Sequence, residues 1–275
     1  MDKRKLQRLS HPVTRVYLGI EEQILINIAK RLGEHHSLLL EEDIPAWQTV
    51  ALEQIERLTA ENIRFIASRS KKTSEEVRKA IENAGFGSLT ENEEILQSAA
   101  KRGLLDEAPP MKESSTLRSI LESYERQALQ TFNLVNTTML DQSSQIYLDI
   151  VNRTAGEVLS GISTPQQALR KTVREWSHTG VPALIDRSGR RWSSEAYVSA
   201  VIRSTSNNVA NEMQDARFEE YGNDLVEVSA HDGARPLCEP YQGRIFSLSG
   251  NHPDYPALAD TSMGDPAGLF GVNCG

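Results

Sequence analysis

The sequence predicts a mainly α protein, with a helical N-terminal and central region followed by a small, loop-rich α+β module. Two observations carry that expectation. Apolar residues recur at steps of three and four over most of the first 220 positions, the spacing of one helical face. From Asn223 onward the composition changes: residues 223–275 hold seven of the 17 glycines, five of the 11 prolines and both cysteines. Three regions follow, an N-terminal helical domain over 1–108, a central long-helix region over 109–222 and the small module over 223–275.

In the first region Val13, Val16, Tyr17, Ile20, Ile24, Ile28 and Leu32 define one apolar stripe. Gly33 supplies a stop, with Lys30 and Arg31 in the last turn, where cations suit the helix dipole. Ahead of the stripe, Lys3, Arg4, Lys5 and Arg8 form a basic end, read first as a solvated terminus, with a mobile arm able to touch nucleic acid or an acidic protein surface as the alternative. Pro45 opens a second helix through Trp47, Val50, Leu52, Ile55, Leu58, Ile63 and Ile66. Thr73 with Glu76 three residues on reads as a capping box, so a third helix is expected to start there and stop at Gly85. A fourth is expected from Glu91 to Arg102, ending at Gly103.

Asp106 to Pro110 has the composition of a linker, and no glycine or proline follows until Gly156. Leu117, Leu121, Tyr124, Ala128, Phe132, Val135 and Met139 form a seam one partner helix wide. Unbroken, that helix spans on the order of 65 Å at ~1.5 Å per residue. A break within the polar stretch Asn136 to Ser144 is equally compatible with the sequence, and both readings stay open. Thr164 and Pro165 then start a helix that runs through Trp176 to Gly180. Ala183 to Ile185 and Arg191 to Ser193 flank Ser188-Gly189 as a short hairpin. Ser194 caps a helix that ends near Gly222, and its polar middle, Ser204 to Asn208, reads as a solvated face, with a partner-facing one as the alternative.

Within the module, Leu225 to Ser229 and Arg244 to Leu248 alternate like strands. About 50 residues is too few for a hydrophobic core that stands alone, so a staple is required: a metal, docking onto helices, or a partner chain.

Charge and motifs exclude several functions. Thirty Lys and Arg against 38 Asp and Glu give a net charge of −8, which rules out a general nucleic-acid coat and leaves only a local basic patch. No apolar run approaches the ~20 residues of a membrane span. Two cysteines are too few for a disulfide scaffold. Neither a phosphate-binding Gly-x-x-x-x-Gly-Lys loop nor a Gly-x-Ser-x-Gly elbow is present. His231, Asp232, Cys238, His252 and Cys274 have metal-ligating chemistry, but their irregular gaps match no zinc knuckle, so no metal or other cofactor is expected. Cys238 with His231 is the alternative thiol site, although neighbouring Glu239 would raise the thiol pKa, the wrong direction for activation.

The run Leu225 to Pro236 (LVEVSAHDGARP), then Tyr241 to Gly250 (YQGRIFSLSG), Tyr255-Pro256 and Gly268 to Gly275 (GLFGVNCG), resembles the phage minor capsid protein 2 family of tailed phages. Weaker likenesses lie at Thr131 to Thr138 (TFNLVNTT) and Ser188 to Ser193 (SGRRWS). The resemblance implies a structural protein of the virion, not an enzyme, present in several copies at or near the portal vertex. It implies the portal protein and major capsid protein as partners, assembly in the host cytoplasm, and packaged DNA as a further contact. His231, Arg235, Tyr241, Gln242, Gly243 and Phe246 are its structural signature: the two rings as anchors, Arg235 tying down carbonyls or a carboxylate, and Gly243 permitting a turn. Two alternatives stand beside it, a metal or thiol enzyme at His231 and Cys238, and a DNA-contacting virion protein ejected with the genome.

Overall fold

The computed structural model describes residues 3–34, 36–40 and 43–270. Seven helices and two small antiparallel sheets make up the described chain: α1 (Lys3–Gly33), α2 (His36–Leu40), α3 (Ile44–Glu53), α4 (Ile55–Lys101), α5 (Ser115–Leu159), α6 (Pro165–Thr179), β1 (Leu184–Ile185), β2 (Arg191–Trp192), α7 (Ser194–Glu220), β3 (Leu225–Glu227) and β4 (Ile245–Ser247). The fold is therefore mainly α with a small α+β module, as the sequence indicates. None of the described helices is long and apolar enough to cross a membrane.

Three expectations are corrected. The basic N-terminal residues lie on helix from Lys3 onward rather than on an arm, and Lys5 Nζ donates to the carbonyl of Gly87 at 3.0 Å. Thr73 does not start a helix, nor do Gly85 and Glu91 separate two: α4 is continuous over 47 residues. Inside it the Thr73 hydroxyl donates back to the carbonyl of Arg69 at 3.1 Å, a mid-helix bond open to any Thr or Ser. Gly85 is a packing glycine, since a Cβ there would overlap Met213 Sδ and press on Leu121.

The chain forms two compact units. One comprises Pro12–Glu76 and Leu129–Ser199. Its core holds the predicted α1 stripe from Val13 to Leu32, Trp47 of α3, Leu58 and Ile66 of α4, and Phe132 to Val151 of α5. Tyr17 stacks on Phe132 with ring centroids 5.3 Å apart, and Tyr147 Oη donates to the carbonyl of Ala51 at 2.8 Å. The polar stretch of α5 does not break it, so α5 runs for 45 residues, about 67 Å. Polar residues there find partners. Asn136 accepts from Tyr17 Oη (3.1 Å), Ser143 accepts from Asn62 Nδ2 (3.1 Å), Ser144 meets Thr59 (3.2 Å) and Gln142 accepts from Arg191 (3.0 Å). The capping box at Thr164 and Gln167 starts α6. Asp186 then closes the β1–β2 hairpin by accepting from the amides of Ser188 and Arg190. Glu21 of α1 accepts from the amide of Val181 at 2.9 Å and from the hydroxyl of Ser194 at the head of α7.

The other unit comprises Met1–His11, Val77–Ala128 and Ala200–Gly275. Val77, Ile81, Ala84 and Leu89 of α4, Leu117 and Ala128 of α5, and Val209 and Met213 of α7 are buried in it. Within this unit Arg217 of α7 lies buried between Glu93 of α4 and Glu220, and the hydroxyl of Tyr221 donates to Glu93 at 3.0 Å.

Candidate functional site

The C-terminal module is built on the β3–β4 pair, in register Leu225↔Ser247, Val226↔Phe246 and Glu227↔Ile245. Asp224 holds its far end by accepting from Ser247 Oγ (2.6 Å) and the Ser249 amide (2.7 Å), and these bonds keep its carboxyl below the ordinary range. The outer edge of β4 is covered, because Ser247 donates its amide to Pro256 and bridges to Ala257.

The residues singled out from the sequence cluster around this pair. Tyr241 and Phe246 meet edge to face at 6.0 Å, and Phe246 is buried. Gly243 has φ +66°, the left-handed region, as it turns into β4. Gln242 accepts the His231 amide through Oε1 at 2.9 Å. Arg235 donates to the carbonyl of Pro266 at 3.4 Å. Cys238 is buried with Sγ 4.0 Å from the Ala267 carbonyl. Among the described residues no three His, Cys, Asp or Glu side chains form a metal-binding group. Cys274 lies outside the described residues.

Between the module and helices α4 and α7, all in the same unit, runs a cleft of about 640 Å³. Amide side chains line it from several directions: Asn92 of α4, Asn207, Asn211 and Gln214 of α7, and Gln242 of the module. His231, Cys238 and the β3 backbone complete the wall. A second cleft of about 710 Å³ shares Asn211, Asp215, Leu269 and Phe270 with it and adds Ser204, Asn208 and Glu212. The expectation of a solvated face at Ser204 to Asn208 is corrected here, because Ser206 and Asn207 are buried while Ser204 and Asn208 line this second cleft.

Asp215 borders both clefts. Burial, with Glu219 and Glu212 adding repulsion, pushes its carboxyl up to about 6. Sequence reasoning missed it because nothing in α7's pattern separates a half-buried aspartate from its exposed neighbours. Asn207 was legible only as part of a polar run.

Basic groups gather elsewhere. Residues 64–79 of α4 carry six Lys or Arg against two Glu. A cleft of about 390 Å³ is lined by Arg15 of α1 together with Arg69, Lys72 and Glu76 of α4. The guanidinium of Arg69 lies over the Phe65 ring at 4.9 Å. Arg4, Lys5 and Arg8 share the first two turns of α1; the side chain of Lys3 lies outside the described set.

Comparison with known proteins agrees with the module's sequence signature. The family described as phage minor capsid protein 2 matches residues 1–275. A protein named "Structural protein" from Lactococcus phage LL-H is 28% identical, over 94% of this chain and 72% of its own length. No solved structure matches the chain. A whole-chain family match, reaching from the helical units through the strand pair and its turns, means that this chain belongs to the phage minor capsid protein 2 family.

Proposed function

We propose that this chain is a non-enzymatic minor component of a tailed-phage head, placed at the portal vertex in several copies. There it would contact the portal protein and the inner face of the capsid and assist head assembly or genome packaging. The whole-chain family match is the observation that carries the reading. Supporting it, Ile26, Ile63 and Leu134 in one unit, and separately Ile95 in the other, are large apolar side chains left at least about half exposed on long helices. Exposed apolar groups repeated in many identical copies suit a symmetric assembly.

The test is co-expression of the full chain with a tagged portal protein and, separately, with the major capsid protein, followed by cryo-EM of assembled heads. Stoichiometric recovery with portal, and density for the 45-residue α5 rod beside the vertex, is the expected result. Recovery with neither protein, or density confined to the tail, overturns it.

A second reading, binding to packaged DNA, is favoured by the basic run of α4 and the Arg15–Arg69–Lys72 cleft. It expects salt-sensitive binding to duplex DNA. The log–log salt slope becomes shallower by about one for each phosphate-neutralising side chain removed, in Arg69→Glu and in Lys72→Glu. Binding unaffected by either change excludes that surface.

A further inference from the structure

The cleft between β3 and α7 carries unused hydrogen-bonding groups of opposite kinds. In the β3–β4 ladder, Leu248 donates to Asp224 O at 2.8 Å, Val228 donates to Arg244 O at 3.0 Å and Gly243 donates to Val228 O at 2.7 Å. The ladder therefore uses residues 224, 226 and 228, so the backbone groups of Leu225 and Glu227 point to the opposite edge. That edge has no strand beside it among the described residues, and it forms a wall of the cleft. The Leu225 carbonyl is satisfied by Asn223 Nδ2 at 3.0 Å, but no bond from described residues reaches the Glu227 amide or carbonyl.

Of the cleft's other lining groups, Asn207 Oδ1 of α7 is a buried acceptor and Gln242 Nε2 of the module a buried donor, and neither has a partner among the described residues. An orphaned buried polar atom is costly, and a peptide group, with one donor and one acceptor, is the chemistry that satisfies such a pair. Asp215, also on the wall, makes no hydrogen bond or ion pair among the described residues. Among the described residues no Lys or Arg side chain lines the cleft to balance it. Its volume falls within the ~300–1,000 Å³ typical of binding clefts.

We propose that this cleft receives an extended, basic segment of another polypeptide, which adds as a third strand to the free edge of β3. The incoming backbone pairs with Glu227. Its peptide groups satisfy Asn207 and Gln242, and a lysine or arginine side chain meets Asp215. Main-chain pairing supplies affinity in this mode of recognition, and alternate side-chain positions supply specificity. The inference adds partner chemistry to the structural reading without depending on which head protein supplies the segment. Failure to co-purify with portal would leave it intact.

The test is selection of the full chain against a random dodecapeptide library, followed by fluorescence anisotropy with the selected peptides. Expected are extended peptides sharing a Lys or Arg at one position, whose affinity falls at least tenfold in Asn207→Leu, in Asp215→Asn and in Glu227→Pro. The proline removes only an amide directed away from β4. Thermal unfolding is followed for every variant, and Asp215→Asn, which keeps the side chain's shape, decides the case in which Glu227→Pro does not fold. No enrichment, enrichment of peptides without basic residues, or affinity unchanged in all three variants overturns the proposal. So does displacement by a single-stranded oligonucleotide, or tighter binding once residues 271–275 are deleted, since the cleft would then belong to nucleic acid or to this chain's own end.

Discussion

Arg217 and Glu93, 124 residues apart in sequence, form a two-pronged ion pair from which water is excluded: Arg217 Nε donates to Glu93 Oε2 at 2.8 Å and its Nη2 to Oε1. Burial opposes both charges. For Arg217 the bonds to Glu93 and Glu220 outweigh that penalty and hold the guanidinium above its ordinary pKa. For Glu93 the bonds from Arg217, Gln97 and Tyr221 hold the carboxyl below its ordinary value. A charge left alone there has no water to turn to.

Removing either partner is therefore expected to cost about 3–5 kcal/mol, in Glu93→Leu or Arg217→Met, whereas the double substitution costs much less because neither charge remains. A double-mutant cycle by urea denaturation measures the difference. Additive losses would show the pair to be uncoupled.

Asp215 acts in the opposite sense. Its folded-state pKa of about 6 lies above the ordinary 3.8, so the folded protein holds the proton more tightly than the unfolded chain. Stability from this group falls as pH climbs from about 4 to about 6, and the full cost is present above that window. Asp215→Asn is expected to stabilise the protein at pH 8 by on the order of 2 kcal/mol, allowing for partial exposure, and to change nothing at pH 4. Thermal midpoints of both proteins across that range check it.

Two helical glycines separate packing from propensity. Gly156 of α5 has open space where a Cβ would stand, so Gly156→Ala is expected to stabilise by about 0.5–1 kcal/mol. Gly85→Ala meets the buried Met213 side chain and is expected to destabilise by about 1–2 kcal/mol, the overpacking strain exceeding the gain in propensity. Equal shifts in melting temperature for the two variants would contradict this account.

A buried polar relay links three helices: Asn27 Nδ2 donates to Asn62 Oδ1 (2.8 Å), Asn62 Nδ2 to Ser143 Oγ (3.1 Å), and Ser143 Oγ to the carbonyl of Leu140 (2.7 Å). Asn62→Leu leaves Asn27 without its acceptor and Ser143 without its donor. The expected loss is about 2–4 kcal/mol, read as a lower urea midpoint at unchanged m-value.

Where local chemistry decides an element, the sequence announced it. Thr164 and Gln167 wrote the start of α6, Pro45 that of α3, and alternation marked both strands of the module. Where distant partners decide, it did not. Thr73-x-x-Glu76 has the same local pattern as a cap, yet the helix passes straight through it. Asn136 to Ser144 looked equally fit to break α5 because Tyr17, Thr59 and Asn62, which satisfy it, lie 80 or more residues away. The cleft escaped notice for the same reason, since its orphan amides come from α7 and from the turn before β4.

Neither compact unit is written in one stretch of chain: one is complete only once residue 199 has been made, and the other waits for its last segment, 200–275. The Glu21 carboxylate, synthesised early, finds its partners at Val181 and Ser194 only some 160 residues later. On the ribosome the nascent helices must therefore hold their apolar faces in reserve until the segments up to 199, and then 200–275, have been made. A product that stops soon after residue 199 would hold the first unit's core but lack the α7 and module segments of the second, so it would carry the clustered apolar faces of that unit uncovered.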